Sequence, residues 1–154
     1  MDYGPFLEKC PEVAKEETRQ ISILNEGGKL PKGRYLLFEL FCTDPECDCR
    51  RVFLNVMHVE SGQLMAVIAY GWEDREYYRE WFAGDVPGNE RLLEERPSML
   101  DELKGPALNT GSPQSKYASA LLEEVESVLE DDDYVNRIKR HYRMFKDAIE
   151  EEDR

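Results

Sequence analysis

The chain has 154 residues, 41% of them hydrophobic and 34% charged, a mix that suits one domain and is globular rather than disordered. Its formal net charge of −13 disfavours bulk binding to nucleic acid and to anionic membrane surfaces. No apolar run approaches the ~20 residues of a membrane span, and Met1-Asp2-Tyr3-Gly4-Pro5 has no signal-peptide character, so the expected compartment is the cytoplasm.

The pattern divides residues 1–154, read as a single domain, into a sheet-forming half, about 18–71, and a helical half, about 74–150. A short helix is expected after Pro11, then a short strand over Ile21–Leu24 and a turn at Asn25-Glu26-Gly27-Gly28. Tyr35–Cys42, Arg51–Val59 and Leu64–Tyr70 read as three strands, the last two joined by a tight turn over Glu60–Gln63. Pairing by faces sets Leu40 opposite Val52 and Phe38 opposite Leu54. It also sets Val56 opposite Val67, Leu54 opposite Ala69 and His58 opposite Met65. Thr43–Cys49 is then the loop of the first hairpin.

The period changes after Trp72. Asp74–Ala83 suits a helix, with Tyr77/Trp81 and Tyr78/Phe82 as i,i+4 pairs, and Asn89–Glu95 suits another. Residues 97–112 read as irregular. Ser112-Pro113 predicts the start of a helix that runs to about Glu130. One of Asp131, Asp132 and Asp133 is expected to cap the last helix, in which Val135, Ile138, Tyr142, Phe145 and Ile149 form one apolar stripe. The expected fold class is α+β: a small antiparallel β-meander of three to four strands, followed by helices packed on one face and ending in a helical hairpin.

Three of the four cysteines fall within Cys42-Thr43-Asp44-Pro45-Glu46-Cys47-Asp48-Cys49, a C-x4-C-x-C spacing around the hairpin loop. Three thiolates converging on one point suit Zn²⁺, which takes sulfur ligands in tetrahedral geometry. The candidate metal ligands are Cys42, Cys47, Cys49 and His141; Cys10, His58 and water are the other options for the fourth place. Two further readings stand beside zinc: reduced thiols packed as small hydrophobes, and a redox pair of Cys42 with Cys49 or Cys47. Cys47, Cys49 and His58 share the C-x-C-x8-H spacing of the small SEC-C zinc motif. However, Arg50-Arg51-Val52 replaces that motif's glycine-serine turn, and a strand would carry His58 about 30 Å from Cys49. His58 is therefore read as a core or rim histidine.

Other groups point to packing. Arg50 needs an acidic partner or an anion. Arg137, Lys139, Arg140 and Arg143 read as a solvated, charge-paired helix face. Trp72, Tyr77, Tyr78, Trp81 and Phe82 read as contacts between helix and sheet. The chain contains no phosphate loop, nucleophile elbow or H-E-x-x-H.

The run Phe41–Val52, with Gly105-Pro106-Ala107-Leu108, Gln114-Ser115 and His141-Tyr142-Arg143-Met144-Phe145-Lys146, resembles a family of uncharacterised bacterial proteins carrying C-x4-C-D-C-R-R. The resemblance implies no activity. From the residues, the leading expectation is a zinc-stabilised interaction module whose acidic surface meets a basic protein partner. The alternatives are a small metal- or thiol-dependent enzyme built on the Cys42/Cys47/Cys49 loop with His141, and a domain whose cysteines are only core.

Overall fold

The computed structural model describes residues 2–84 and 86–153. In chain order the elements are β1 (Tyr3–Pro5), α1 (Phe6–Lys9), α2 (Pro11–Glu17), β2 (Arg19–Ile23), β3 (Gly33–Cys42), β4 (Arg51–His58) and β5 (Gln63–Gly71). Then follow α3 (Arg75–Ala83), α4 (Asn89–Glu95), α5 (Ser98–Lys104), β6 (Ala107–Leu108), α6 (Ala118–Val128) and α7 (Asp132–Glu152). The class is α+β, with a wholly antiparallel sheet in the order β1-β3-β4-β5-β6. β2 shares the outer edge of β3 with β1: β2 pairs residues 33–37 and β1 pairs residues 40–42.

The sheet is longer than the expected three or four strands. The two additions, β1 and β6, have three and two residues. Such short pieces carry no alternation, and it is the sheet edge that recruits them.

One face of the sheet carries Tyr35, Leu37 and Phe41 from β3 and Val52, Leu54 and Val56 from β4, all fully buried. These pack in one cluster with Leu121 and Val125 of α6 and with Ile138, Tyr142, Phe145 and Ile149 of α7. Of the stripe expected on the last helix, Ile138, Tyr142, Phe145 and Ile149 are buried and Val135 is half-buried. The start of that helix is also as expected, since the Asp131 side chain accepts the Asp133 N–H at 3.0 Å. α3 begins with Asp74, which accepts the Tyr77 N–H at 2.8 Å. Its Tyr78 packs with Leu93 and Leu100 in a second, smaller cluster. A Cβ on Gly71 would collide with the Tyr78 ring, so α3 lies against the opposite face of the sheet.

Both hairpin registers differ from the expected ones, by one residue except at His58, where the shift is two. Leu40 faces Phe53 and Phe38 faces Asn55, so Tyr35, Leu37, Glu39 and Phe41 turn to the main core. In the second hairpin Val56 faces Ala66, Leu54 faces Ile68 and His58 faces Gln63, with an irregularity at Val56/Met57. Residues 35–42 are apolar on both parities, so the apolar pattern alone cannot choose a face. The choice turns on Glu39, the strand's one carboxylate, which points inward to a partner on α7.

Two further boundaries differ. Residues 98–104 form α5, because Leu100, Met99 and Leu103 pack with Tyr78 in spite of the surrounding glycines and prolines. Ser112-Pro113 does not start a helix. The Gln114 side chain instead pairs with the Val67 backbone, accepting its N–H at 3.0 Å and donating to its carbonyl at 2.9 Å, and α6 begins only at Ala118.

Candidate metal centre

The loop from Thr43 to Arg50 joins β3 to β4, and it is tied down on every side. From α7, Lys146 donates to the Cys42 carbonyl at 3.0 Å and to the Asp44 carbonyl at 2.9 Å. Tyr142, also on α7, donates its hydroxyl to Asp48 at 2.8 Å and accepts the Arg50 N–H at 3.3 Å. From α3, Tyr78 donates to the Arg50 carbonyl at 2.7 Å, and Tyr77 donates to the Asp48 carbonyl. Arg50 is the only described non-glycine residue with positive φ, 49°, and this turn swings the chain from Cys49 into β4. Such a conformation costs free energy in a residue with a Cβ, and here both backbone groups of Arg50 are held by tyrosines.

This bracing gathers the sulfurs. The Sγ atoms of Cys42, Cys47 and Cys49 all lie within 4.8 Å of one another. Sulfurs at ~2.3 Å from a tetrahedral zinc sit a little under 4 Å apart, so a small contraction completes a three-thiolate site. Cys42 and Cys49 are fully buried and Cys47 is half-buried. Tyr3 of β1 places its hydroxyl 3.7 Å from the Cys49 sulfur, and Arg51 donates to that hydroxyl at 3.3 Å. The Trp81 indole of α3 acts on the Cys47 thiol, lowering it against burial.

The three thiols are unequal. Cys42 is pulled down to about 5 by the Cys49 thiol that donates to it, helped by the Asp44 backbone, the Lys146 ammonium and Cys47, against burial. Cys49 is pushed up by that same hydrogen bond to Cys42 and by burial. Burial first, and then the charge on Cys42, push Cys47 up. A charge on Cys42 opposes the ionisation of Cys47 and Cys49. A divalent cation reverses that balance, because a coordinated thiol is deprotonated outright.

Of the four expected ligands, three meet. The fourth, His141, is elsewhere: it is fully buried on α7 with both ring nitrogens occupied, Nδ1 by Glu39 Oε1 at 2.7 Å and Nε2 by Glu17 Oε1 at 2.8 Å. Its ring stacks on Phe6, with centroids 4.3 Å apart. The other candidates are also apart from the cluster. Cys10 sits between α1 and α2. His58 lies at the far end of β4, bonded to Ser61 at 2.7 Å and to the Lys32 carbonyl at 3.0 Å, as a rim histidine. Among the described residues, no fourth histidine, cysteine or carboxylate joins the group.

Three participants had no signal in the pattern. Tyr3, Trp81 and Lys146 are brought to the cysteines from three separate elements, and only the topology unites them. No family model, curated protein or solved structure matches this chain, so its chemistry is read from this geometry alone.

Proposed function

We propose that the chain is a zinc-stabilised interaction module, with one Zn²⁺ held by Cys42, Cys47 and Cys49. The observation that carries this reading is the convergence of three sulfurs within 4.8 Å in a loop braced from both faces of the sheet. The metal fastens the ends of β3 and β4 where hairpin pairing stops, so its binding free energy becomes folding free energy. The fastened loop and the acidic surface, in a chain of net charge −13, suit a basic protein partner.

A second reading has one observation in its favour. Three protein ligands, with no fourth among the described residues, leave a coordination position for water or substrate, as in catalytic zinc sites. In that reading the enzyme works through the cysteine loop without His141, whose nitrogens are committed to Glu17 and Glu39.

Elemental analysis of untagged protein purified without chelator tests the zinc. About one zinc per chain is expected, and it should be lost in Cys47→Ser/Cys49→Ser. Protein that takes up no zinc, even when refolded with it, refutes the site. Replacement by Co²⁺ then separates the two readings. A cobalt spectrum that shifts on adding cyanide or a small thiol shows an exchangeable fourth position and favours the enzyme. A spectrum inert to both favours the closed, structural site.

A further inference from the structure

Four basic side chains crowd the middle of α7, and they are not equivalent. Arg140 pairs with Glu17 at 2.7 Å, and Arg137 donates to the Glu17 carbonyl at 3.2 Å. Lys139 and Arg143, one helical turn apart, make no ion pair and no side-chain hydrogen bond among the described residues. Like charges at this spacing repel and destabilise a helix. Two cations left so, in a chain with 33 acidic residues, require an explanation.

Lys139 and Arg143 line a cavity of about 240 Å³ together with Arg50, Trp72, Glu73 and Tyr142. Arg50 is held in place by Asp48 at 3.0 Å and Glu73 at 3.5 Å. The Tyr142 ring meets Trp72 edge-on, with centroids 5.1 Å apart, which gives the cavity an aromatic floor. Three cations thus stand around one cavity against a single lining carboxylate. With Asp48 counted behind Arg50, the local sum is still positive, opposite in sign to the chain as a whole.

We propose that this cleft binds a small phosphate monoester. A phosphoryl group offers three acceptor oxygens and about two negative charges, which match the Arg143 guanidinium fork and the Lys139 ammonium, with the carboxylate-held Arg50 adding its charge at the rim. It relieves the repulsion between Lys139 and Arg143 without displacing the carboxylates on Arg50. The aromatic floor favours an ester whose other end carries a flat ring. The site stands independently of the zinc, although Asp48 and Arg50 lie in the cysteine loop and so place the two sites on one segment.

The test is a titration of the purified full chain with inorganic phosphate and with phenyl phosphate, followed by calorimetry and by the amide and Trp72 indole NMR signals. Saturable binding in the millimolar range or tighter is expected, with shifts at Trp72, Lys139 and Arg143 and with phenyl phosphate the tighter ligand. Lys139→Ala/Arg143→Ala changes two exposed side chains and should weaken binding at least about tenfold. Lys15→Ala/Lys29→Ala, which removes the same charge elsewhere on the surface, should leave affinity unchanged. No saturation, shifts confined to other residues, or equal losses in the two double variants would each overturn the proposal. Zinc-loaded and zinc-stripped protein are titrated in parallel, so that a failure of the metal reading is not mistaken for a failure of the cleft.

Discussion

Replacing His141 by leucine should be among the most damaging single changes in the chain. His141 is fully buried and Glu39 is 6% exposed, and they share a 2.7 Å hydrogen bond in the core between β3 and α7. Removing the histidine leaves Glu39 buried without that partner, and breaking a buried pair in this way costs about 3–5 kcal/mol. The bond to Glu17 adds little, because Glu17 is 31% exposed and solvent screens it. For a domain of this size the loss corresponds to roughly 6–20 °C in Tm. Glu39→Leu/His141→Leu removes both groups, so its cost should fall well short of the sum of the two single variants.

The pH dependence follows from the same pair. Burial alone would push His141 down, but the Glu39 hydrogen bond and charge, with Glu17 after them, raise it above its ordinary 6.5. Burial raises Glu39 too, opposed by His141. Both shifts mean that the folded state holds protons more tightly than the unfolded state. The His141 contribution is fully present below pH 6.5 and is lost as pH rises through its folded value. Urea denaturation of wild type and the three variants across this range is the assay. The stability difference between wild type and the double variant should shrink above pH 6.5. A His141→Leu cost below about 1 kcal/mol, additive with Glu39→Leu, would refute the reasoning.

Three other outcomes are expected. Chelating the metal from zinc-loaded protein should lower Tm and speed amide exchange over residues 43–50; an unchanged Tm after proven removal counts against a structural metal. Lys146→Met strips two loop carbonyls of a buried ammonium and should cost about 2–4 kcal/mol in urea denaturation, with weaker zinc binding in a chelator competition. Gly71→Ala drives a methyl group into the Tyr78 ring, so a loss of about 1–3 kcal/mol is expected. Because Tyr78 also holds the Arg50 carbonyl, that variant should weaken metal binding too, and full-strength binding in a destabilised variant would break the link between α3 and the loop.

Much of the fold was legible because its long elements carry strong periods. The stripe on α7, the aromatic helix α3 and the three central strands were readable from spacing alone. What was not legible depends on contacts between distant segments. β1 exists because the β3 edge is free beside Cys42. α5 forms in a glycine- and proline-rich stretch because three of its side chains complete a small core with Tyr78. Ser112-Pro113 looks like a helix start, yet the Gln114 amide satisfies the Val67 backbone and delays the helix. The cysteine cluster was visible because its three members are close in sequence. Its tyrosine, tryptophan and lysine neighbours are not, so they left no trace in the spacing.

The misplaced histidine and the shifted registers have one cause. Pairing Leu40 with Val52 turns the even-numbered residues of β3 inward, which would carry Cys42 toward α7 and make His141 a natural fourth ligand. In the structure the odd-numbered residues face α7, and Glu39 takes the histidine. Cys42 then projects to the other face, where Tyr3, Phe53 and Arg51 stand, and neither it nor Cys49 belongs to the main core cluster. A one-residue slip turns every side chain of a strand over, so a single register decides whether the metal candidate and the buried acid–histidine pair are one site or two. The deciding signal was present: a histidine on a buried helical stripe needs a hydrogen-bond partner on the facing strand, and between Tyr35 and Cys42 the only charged residue is Glu39.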